Sequence, residues 1–191
     1  PGRFGAGKGA LALSFVEDSA LGRDSVASAV DKAGVTLRFG SRSAAFRGLG
    51  RLLSAATRSD LAFSESSEYT MRGLMADCSR NGVLRPDAAR EFMRRSALMG
   101  VNMLMLYTED TYDVPGEPFF GYLRGGYTSL EMMALDDYAD AIGIELIPCI
   151  QALAHLEQFL QWEPNARYRD TKNILLAGDD ALLAGIRAGK S

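Results

Sequence analysis

Four residues in this sequence could do chemistry together: Arg80, Glu109, Asp110 and His155. Histidine occurs once in the 191 residues, and imidazole is the side chain most easily set to exchange a proton near neutral pH. A guanidinium offers a rigid fork of donors for paired acceptors. Each residue also has a plain structural reading. Arg80 could flank a helix at the surface, and Glu109 and Asp110 could open a solvated loop. A lone histidine is often a packing residue. Nearby Asp77 reads as pointing into the strand bundle or pairing with a cation.

Position is what favours chemistry. Three strand-like apolar runs are expected at 71–77, 101–107 and 144–150. Arg80 follows the first, Glu109 and Asp110 the second, and His155 the third. Helices are expected between them. One starts at Pro86, carries Ala89, Phe92, Met93, Ala97 and Met99, and stops at Gly100. The other opens with a Thr128–Glu131 capping box and carries Leu130, Met133, Ala134, Tyr138 and Ala141. Gly143 ends it. Alternating strands and helices imply a parallel sheet, whose ligands bind beyond the carboxyl ends of its strands. The four residues therefore share one rim. The loop 111–127 leaves from that rim and is longer than a usual connection of this kind, which favours a functional loop. The second run is almost continuously apolar, as a strand buried on both faces would be. Met71, Met75, Met103, Met105, Met132 and Met133 read as core filler.

Upstream, strands are expected over 10–16, 26–30 and 34–39, the last alternating at Val35, Leu37 and Phe39. A helix is expected over 43–56, capped by Ser41 or Ser43, with Phe46, Leu49, Leu52 and Leu53 on its buried face. The polar stretch 57–68 reads as a linker or domain boundary. This gives two domains: a small α+β domain over 1–66, with 1–9 a flexible end, and a second domain over 67–191. Gly2, Gly7 and Lys8 have the spacing of a phosphate-binding loop. No strand precedes them, and Gly9 stands where the magnesium-binding hydroxyl belongs, so that reading is set aside. Beyond the third strand come a helical piece over 153–162, a polar turn over 163–172 and a last helix over 179–187. Trp162 reads as a sugar-stacking platform or a packing residue.

Net charge is −3, and the basic residues are scattered, which argues against nucleic acid and anionic membranes as partners. No apolar run approaches the roughly 20 residues of a membrane span. Cys78 and Cys149 have neither metal-ligand nor disulfide-framework spacing and read as buried thiols in a reducing compartment, which favours a cytoplasmic location. The sequence starts at Pro1 without a methionine, so a removed signal stays open. Nothing in it requires a metal or organic cofactor.

Several of these segments carry a resemblance. RGLMADCSR (72–80), VNMLMLYTEDTY (101–112) and GIELIPCIQALAH (143–155) resemble the first three strands of the catalytic barrel of glycoside hydrolase family 20, the β-N-acetylhexosaminidases. FGYLRGGYTSLE (120–131) resembles the smaller bacterial branch of that family. Strand 35–39 with AAFRGLGRLLSA (44–55) resembles the small α+β domain that precedes the barrel. The resemblance covers roughly residues 10 to 180. It implies an α/β fold class: a small α+β domain, then the first three β–α units of a TIM (β/α)8 barrel, truncated relative to eight strands.

By the same resemblance, Arg80 matches the arginine that holds hydroxyls of the terminal sugar. Glu109 matches the first carboxylate of the strand-two pair, usually aspartate in the family, which forms a relay with the strand-three histidine, here His155. Asp110 matches the second carboxylate. The Leu-Ala-His around His155 departs from the frequent Pro-Gly-His. Members of the family retain configuration without a protein nucleophile, because the substrate's acetamido oxygen attacks the anomeric carbon. The aspartate that orients this group and the glutamate that acts as general acid follow strand four. No counterpart is present here, and Asp179–Asp180 reads as a helix cap instead. The expectation is a fragment of a β-N-acetylhexosaminidase, inactive alone, holding an N-acetylhexosamine-containing glycan, with its open barrel edge covered by a homo-oligomer or a missing remainder. The alternatives are another TIM-barrel or deacetylase-like enzyme and a non-catalytic carbohydrate-binding protein.

Overall fold

Seven strands fall into two sheets in the computed structural model, which describes residues 11–80, 82–151, 154–169, 184–185 and 187–189. The first sheet holds β1 (Ala12–Glu17), β2 (Ser25–Val30), β3 (Gly34–Phe39) and β4 (Phe63–Ser66) in the order β1-β3-β2-β4. Strand β3 runs parallel to β1 and antiparallel to β2. Its alternation works as expected: Val35 and Leu37 are buried, and Phe39 packs against the same small core. Helix α1 (Arg42–Leu53) covers this sheet, and its cap is Ser41, whose Oγ accepts from the Ala44 amide.

Two expectations fail here. First, α1 buries Ser43, Ala44, Ala45, Gly48 and Gly50 and leaves Leu53 largely exposed. The helix sits too close to the sheet for large side chains: a Cβ on Gly48 would lie 2.6 Å from Val26 and 2.8 Å from Leu37. Phe46 and Leu52 flank that contact, Phe46 reaching the other core and Leu52 this one. Second, the stretch 57–68 is not a linker. It contains a 3-10 turn, Arg58–Leu61, and then β4, which pairs antiparallel with β2. Phe63 and Glu65 share the face towards α1, where Glu65 accepts from Arg47 at 2.6 Å. A four-residue strand reading FSES carries too little hydrophobicity to show in the sequence. Backbone pairing decides it.

The second sheet is parallel, with β5 (Gly73–Asp77), β6 (Met103–Tyr107) and β7 (Glu145–Cys149) in chain order. The pairing runs from Gly73–Met103–Glu145 at one end to Asp77–Tyr107–Cys149 at the other. Helices α2 (Pro86–Leu98) and α3 (Ser129–Ala141) supply the crossovers. Leu104 and Leu106 point outward into a core of Ala89, Met93, Ala97, Leu135, Ala139 and Ile142. Truncating a fully buried leucine of this kind to alanine costs about 3 kcal/mol.

Strand β6 was expected to be buried on both faces, but only Leu104 and Leu106 are. Met103, Met105 and Tyr107 face inward and are half-buried, because no layer covers that side among the described residues. For the same reason Met75 is 60% exposed, and Met71 before it 67%. Met133 lies on the solvent side of α3. The core-filler reading therefore fails for these three, while Met132 does pack against the core. Helix α3 buries Leu135 and Ala139, with Ile142 just past its end; of the expected stripe Tyr138 packs against this core, while Leu130, Met133 and Ala141 are exposed. Apolar residues on more than one side of this helix left its phase undetermined in the sequence.

The two sheets are clasped below the strands. Arg72 donates to the Gly100 carbonyl at 2.7 Å and pairs with Asp24 at 3.0 Å. Gly143, at φ +76°, turns α3 into β7 directly against α1, where an added Cβ would lie 2.4 Å from the Ser43 nitrogen. Beyond β7, α4 (Glu157–Leu160) leads into a 3-10 turn, Glu163–Tyr168, where a polar turn was expected. Pro164 starts that turn, and buried Asn165 fixes it by donating to the Phe159 carbonyl at 2.8 Å. The Gly2–Gly7–Lys8 pattern, Leu153, Asp179 and Asp180 lie outside the described residues. No helix among those described is long and apolar enough to cross a membrane.

Candidate functional site

Strand polarity puts the tips of β5, β6 and β7 on one rim, and hydrogen bonds extend the sheet one step beyond them. Cys78 donates to the Tyr107 carbonyl at 2.8 Å, and Thr108 to the Cys149 carbonyl at 3.3 Å. Thr111 ties two tips together, its hydroxyl lying 2.8 Å from the Cys78 carbonyl and 2.7 Å from the Thr108 carbonyl.

The backbone is unusual at these tips. Four non-glycine residues have positive φ among those described: Arg80 (54°), Glu109 (50°), His155 (59°) and Leu123 (63°). Three of the four are the residues singled out after the three strands. A side chain in this region of conformational space costs energy, and such residues cluster at functional sites.

At the β5 tip, the amide and hydroxyl of Ser79 donate to Asp77 Oδ1 at 2.9 and 2.6 Å. These bonds hold the exposed Asp77 carboxyl below the usual carboxylate range; of its two expected readings the inward-facing one holds, and its hydrogen-bond partner is Ser79 rather than a cation. The exposed Arg80 has no ion-pair partner among the described residues, but its charge is felt at Asp77 and Tyr107. At the β6 tip, Glu109 and Asp110 are only 4% and 2% exposed, so they do not open a solvated loop. At the β7 tip, the half-exposed His155 places Nδ1 3.6 Å from Glu109 Oε1. That separation is beyond a direct hydrogen bond and within reach of one formed by a small shift. Glu109 and His155 therefore meet, with Asp110 next to Glu109 in the chain, while Arg80 stands apart on the same rim.

Two residues were missed by sequence reasoning. Tyr107 donates to Glu109 Oε1 at 3.2 Å, and burial and the Glu109 charge push its phenol up. Arg124 reaches back from the loop to Asp110 Oδ1 at 2.6 Å and Glu109 Oε2 at 3.5 Å. The signal available for Arg124 was an arginine inside a Gly-rich loop that leaves a carboxylate-bearing rim. Cys78 is buried as expected. Cys149 is half-buried and lies in the inward row with Asp77 and Tyr107.

The loop 111–127 is ordered on the rim. Tyr112 and Tyr127 bridge its base, and Asp113 donates to the Tyr127 carbonyl at 2.8 Å. Gly121, at φ +66°, brings it against the Asp110 carbonyl, 2.4 Å from where a Cβ would stand. Its aromatics dock on the segment after β7: Phe120 lies 5.0 Å from Phe159, and Tyr122 5.0 Å from Trp162. Trp162 thus packs edge-to-face with the loop. A cavity of about 870 Å³ opens at the opposite ends of the strands, between the two sheets, lined by Asp24, Arg42, Asn102 and Glu145. The rim has the convergent ionisable groups, which outweigh size in locating a site. No group of His, Cys, Asp and Glu able to hold a metal occurs among the described residues.

No family model matches the chain, and no curated protein does. Solved structures do. A β-N-acetylhexosaminidase matches with a TM-score of 0.65 and 25% identity, over 78% of this chain and 37% of that one. The family 20 exo-β-N-acetylglucosaminidase of Vibrio harveyi, solved with N-acetylglucosamine, matches at 0.66 and 18%, over 78% and 29%. The β-N-acetylhexosaminidase of Bacteroides fragilis matches at 0.67 and 17%, over 92% and 41%. This chain therefore has the α/β fold, with one mixed and one parallel sheet, of family 20 glycoside hydrolases. It spans well under half the length of each of these structures.

Proposed function

We propose, from the premise of that shared fold, that the rim is the sugar-holding part of a retaining β-N-acetylhexosaminidase, built on the first three β–α units of a TIM barrel. The observation that carries this reading is the left-handed backbone at Arg80, Glu109 and His155, one after each strand, with Glu109 and His155 facing each other. Arg80 offers its exposed fork to hydroxyls of a terminal N-acetylhexosamine. Glu109 and His155 form a relay that steadies a general acid, and Asp110 supports Glu109. The oriented acetamido group of the substrate is the nucleophile. The Asp-Glu pair that would orient that group and protonate the leaving oxygen belongs to a fourth strand, and the described residues hold no such strand. Residues 1–191 alone are therefore inactive in this reading.

Arg80 tests it. In a longer protein carrying this segment, Arg80→Ala removes two charge-assisted hydrogen bonds, about 3 kcal/mol together. That predicts a loss of roughly 100-fold in kcat/KM on a chromogenic N-acetylglucosaminide. Unchanged kinetics would refute the assignment. Turnover of that substrate by the 191-residue chain, at confirmed mass, would refute the inactivity.

A further inference from the structure

Arg124 lies in a surface loop, yet its side chain is only 13% exposed. It is the cation between two buried carboxylates, 2.6 Å from Asp110 Oδ1 and 3.5 Å from Glu109 Oε2. Adjacent buried carboxylates repel each other and lose hydration, so a shared guanidinium holds them together and sets where they point. The loop is shaped to deliver it. Its base is bridged at Tyr112 and Tyr127, and Gly121 seats it on the Asp110 carbonyl. Glu109 is consequently approached from three sides: the Tyr107 hydroxyl and His155 Nδ1 at Oε1, and Arg124 at Oε2.

We propose that Arg124 is a positioning residue. It fixes the Glu109 carboxylate so that Oε1 is presented to His155 Nδ1, and so makes the seating of the 113–126 loop a condition for the relay. Displacing the loop withdraws the guanidinium, frees Glu109 and leaves the imidazole without its orienting partner. A loop contact of purely structural value would leave the imidazole unaffected. The inference rests on reading Glu109 and His155 as a relay, but its test needs no sugar and no turnover.

The chain's single histidine makes that test direct. Nitrogen chemical shifts of the one imidazole in the 15N-labelled chain, at about pH 8 where an ordinary histidine is neutral, report which ring nitrogen carries the proton. The wild-type ring is expected to hold it on Nδ1, facing Glu109. Arg124→Met is expected to shift most of that population to Nε2, as is Glu109→Ala. Adding Arg124→Met to Glu109→Ala is expected to change nothing further, since the arginine acts through the glutamate. One terminal nitrogen of Arg124 makes both contacts, and Arg124→Lys keeps a charge but on a shorter side chain, so a partial shift is expected. If near-UV circular dichroism shows that Arg124→Met does not fold, the lysine variant carries the test. A ring proton that stays on Nδ1 in a folded Arg124 variant overturns the proposal, as does an additive effect in the double variant. Failure of the Arg80 test leaves this result standing.

Discussion

Arg80, Glu109 and His155 were visible in the sequence because an apolar run followed by an ionisable residue is a one-dimensional pattern. Tyr107 and Arg124 were not, because what matters about them is where a phenol and a guanidinium end up after the chain turns. Tyr127 belongs to this second kind. It is almost wholly buried beneath the rim, with its hydroxyl 3.6 Å from the Cys78 sulfur. Burial and that contact push its phenol far above the ordinary range. A neutral form favoured in the folded state contributes stability that is intact below about pH 10, where an unfolded tyrosine ionises, and is lost as pH rises further. Stability from urea unfolding should therefore fall between about pH 10 and 11, and Tyr127→Phe should flatten that slope. Tyr107 and Tyr112, also pushed up by burial, leave a shallower residual slope. An equally steep fall in Tyr127→Phe would contradict the assignment.

At the scale of elements, the strands were legible to within about two residues, because β-branched and apolar runs were bounded by polar or glycine-containing segments. Helix α2 and the capping box of α3 were legible for the same local reasons. What escaped was set by neighbours. Strand β4 exists because β2 offers it a free edge, and α1 buries its small residues because the sheet beneath leaves no room for large ones. Gly143 shows how tight such contacts are, with left-handed backbone and the start of α1 in the space a Cβ would take. Gly143→Ala is expected to cost about 3 kcal/mol, combining backbone strain with overpacking. Equilibrium urea denaturation measures this, and a loss below about 1 kcal/mol would mean that α1 moves aside freely.

For the molecule as a whole, the sequence implied alternating strands and helices but not which faces would stay bare. The inward side of β5 to β7 carries Met75, Met105 and Ile147 in one row, and Met75 is mostly exposed. An apolar sheet face of this kind drives association when nothing else covers it. The purified 191-residue chain is expected to self-associate at micromolar concentration, with its sedimentation coefficient rising with concentration. Met75→Glu, which places a charge in the middle of that row, should lower the association at least about tenfold, a change of about 1.4 kcal/mol. A concentration-independent monomer in the parent chain would show that the face stays bare.

The strand-tip backbones at positions 80, 109 and 155 have a consequence for evolution and engineering. Glycine at any of them would relieve about 1 kcal/mol of strain while removing the side chain proposed to act there. Selection for expression or thermal endurance alone should therefore drift these three sites towards glycine or asparagine. A library of this chain sorted only for solubility would erase the site first where its backbone is most contorted. Retention of arginine, a carboxylate and histidine there would then mark selection acting on chemistry rather than on folding.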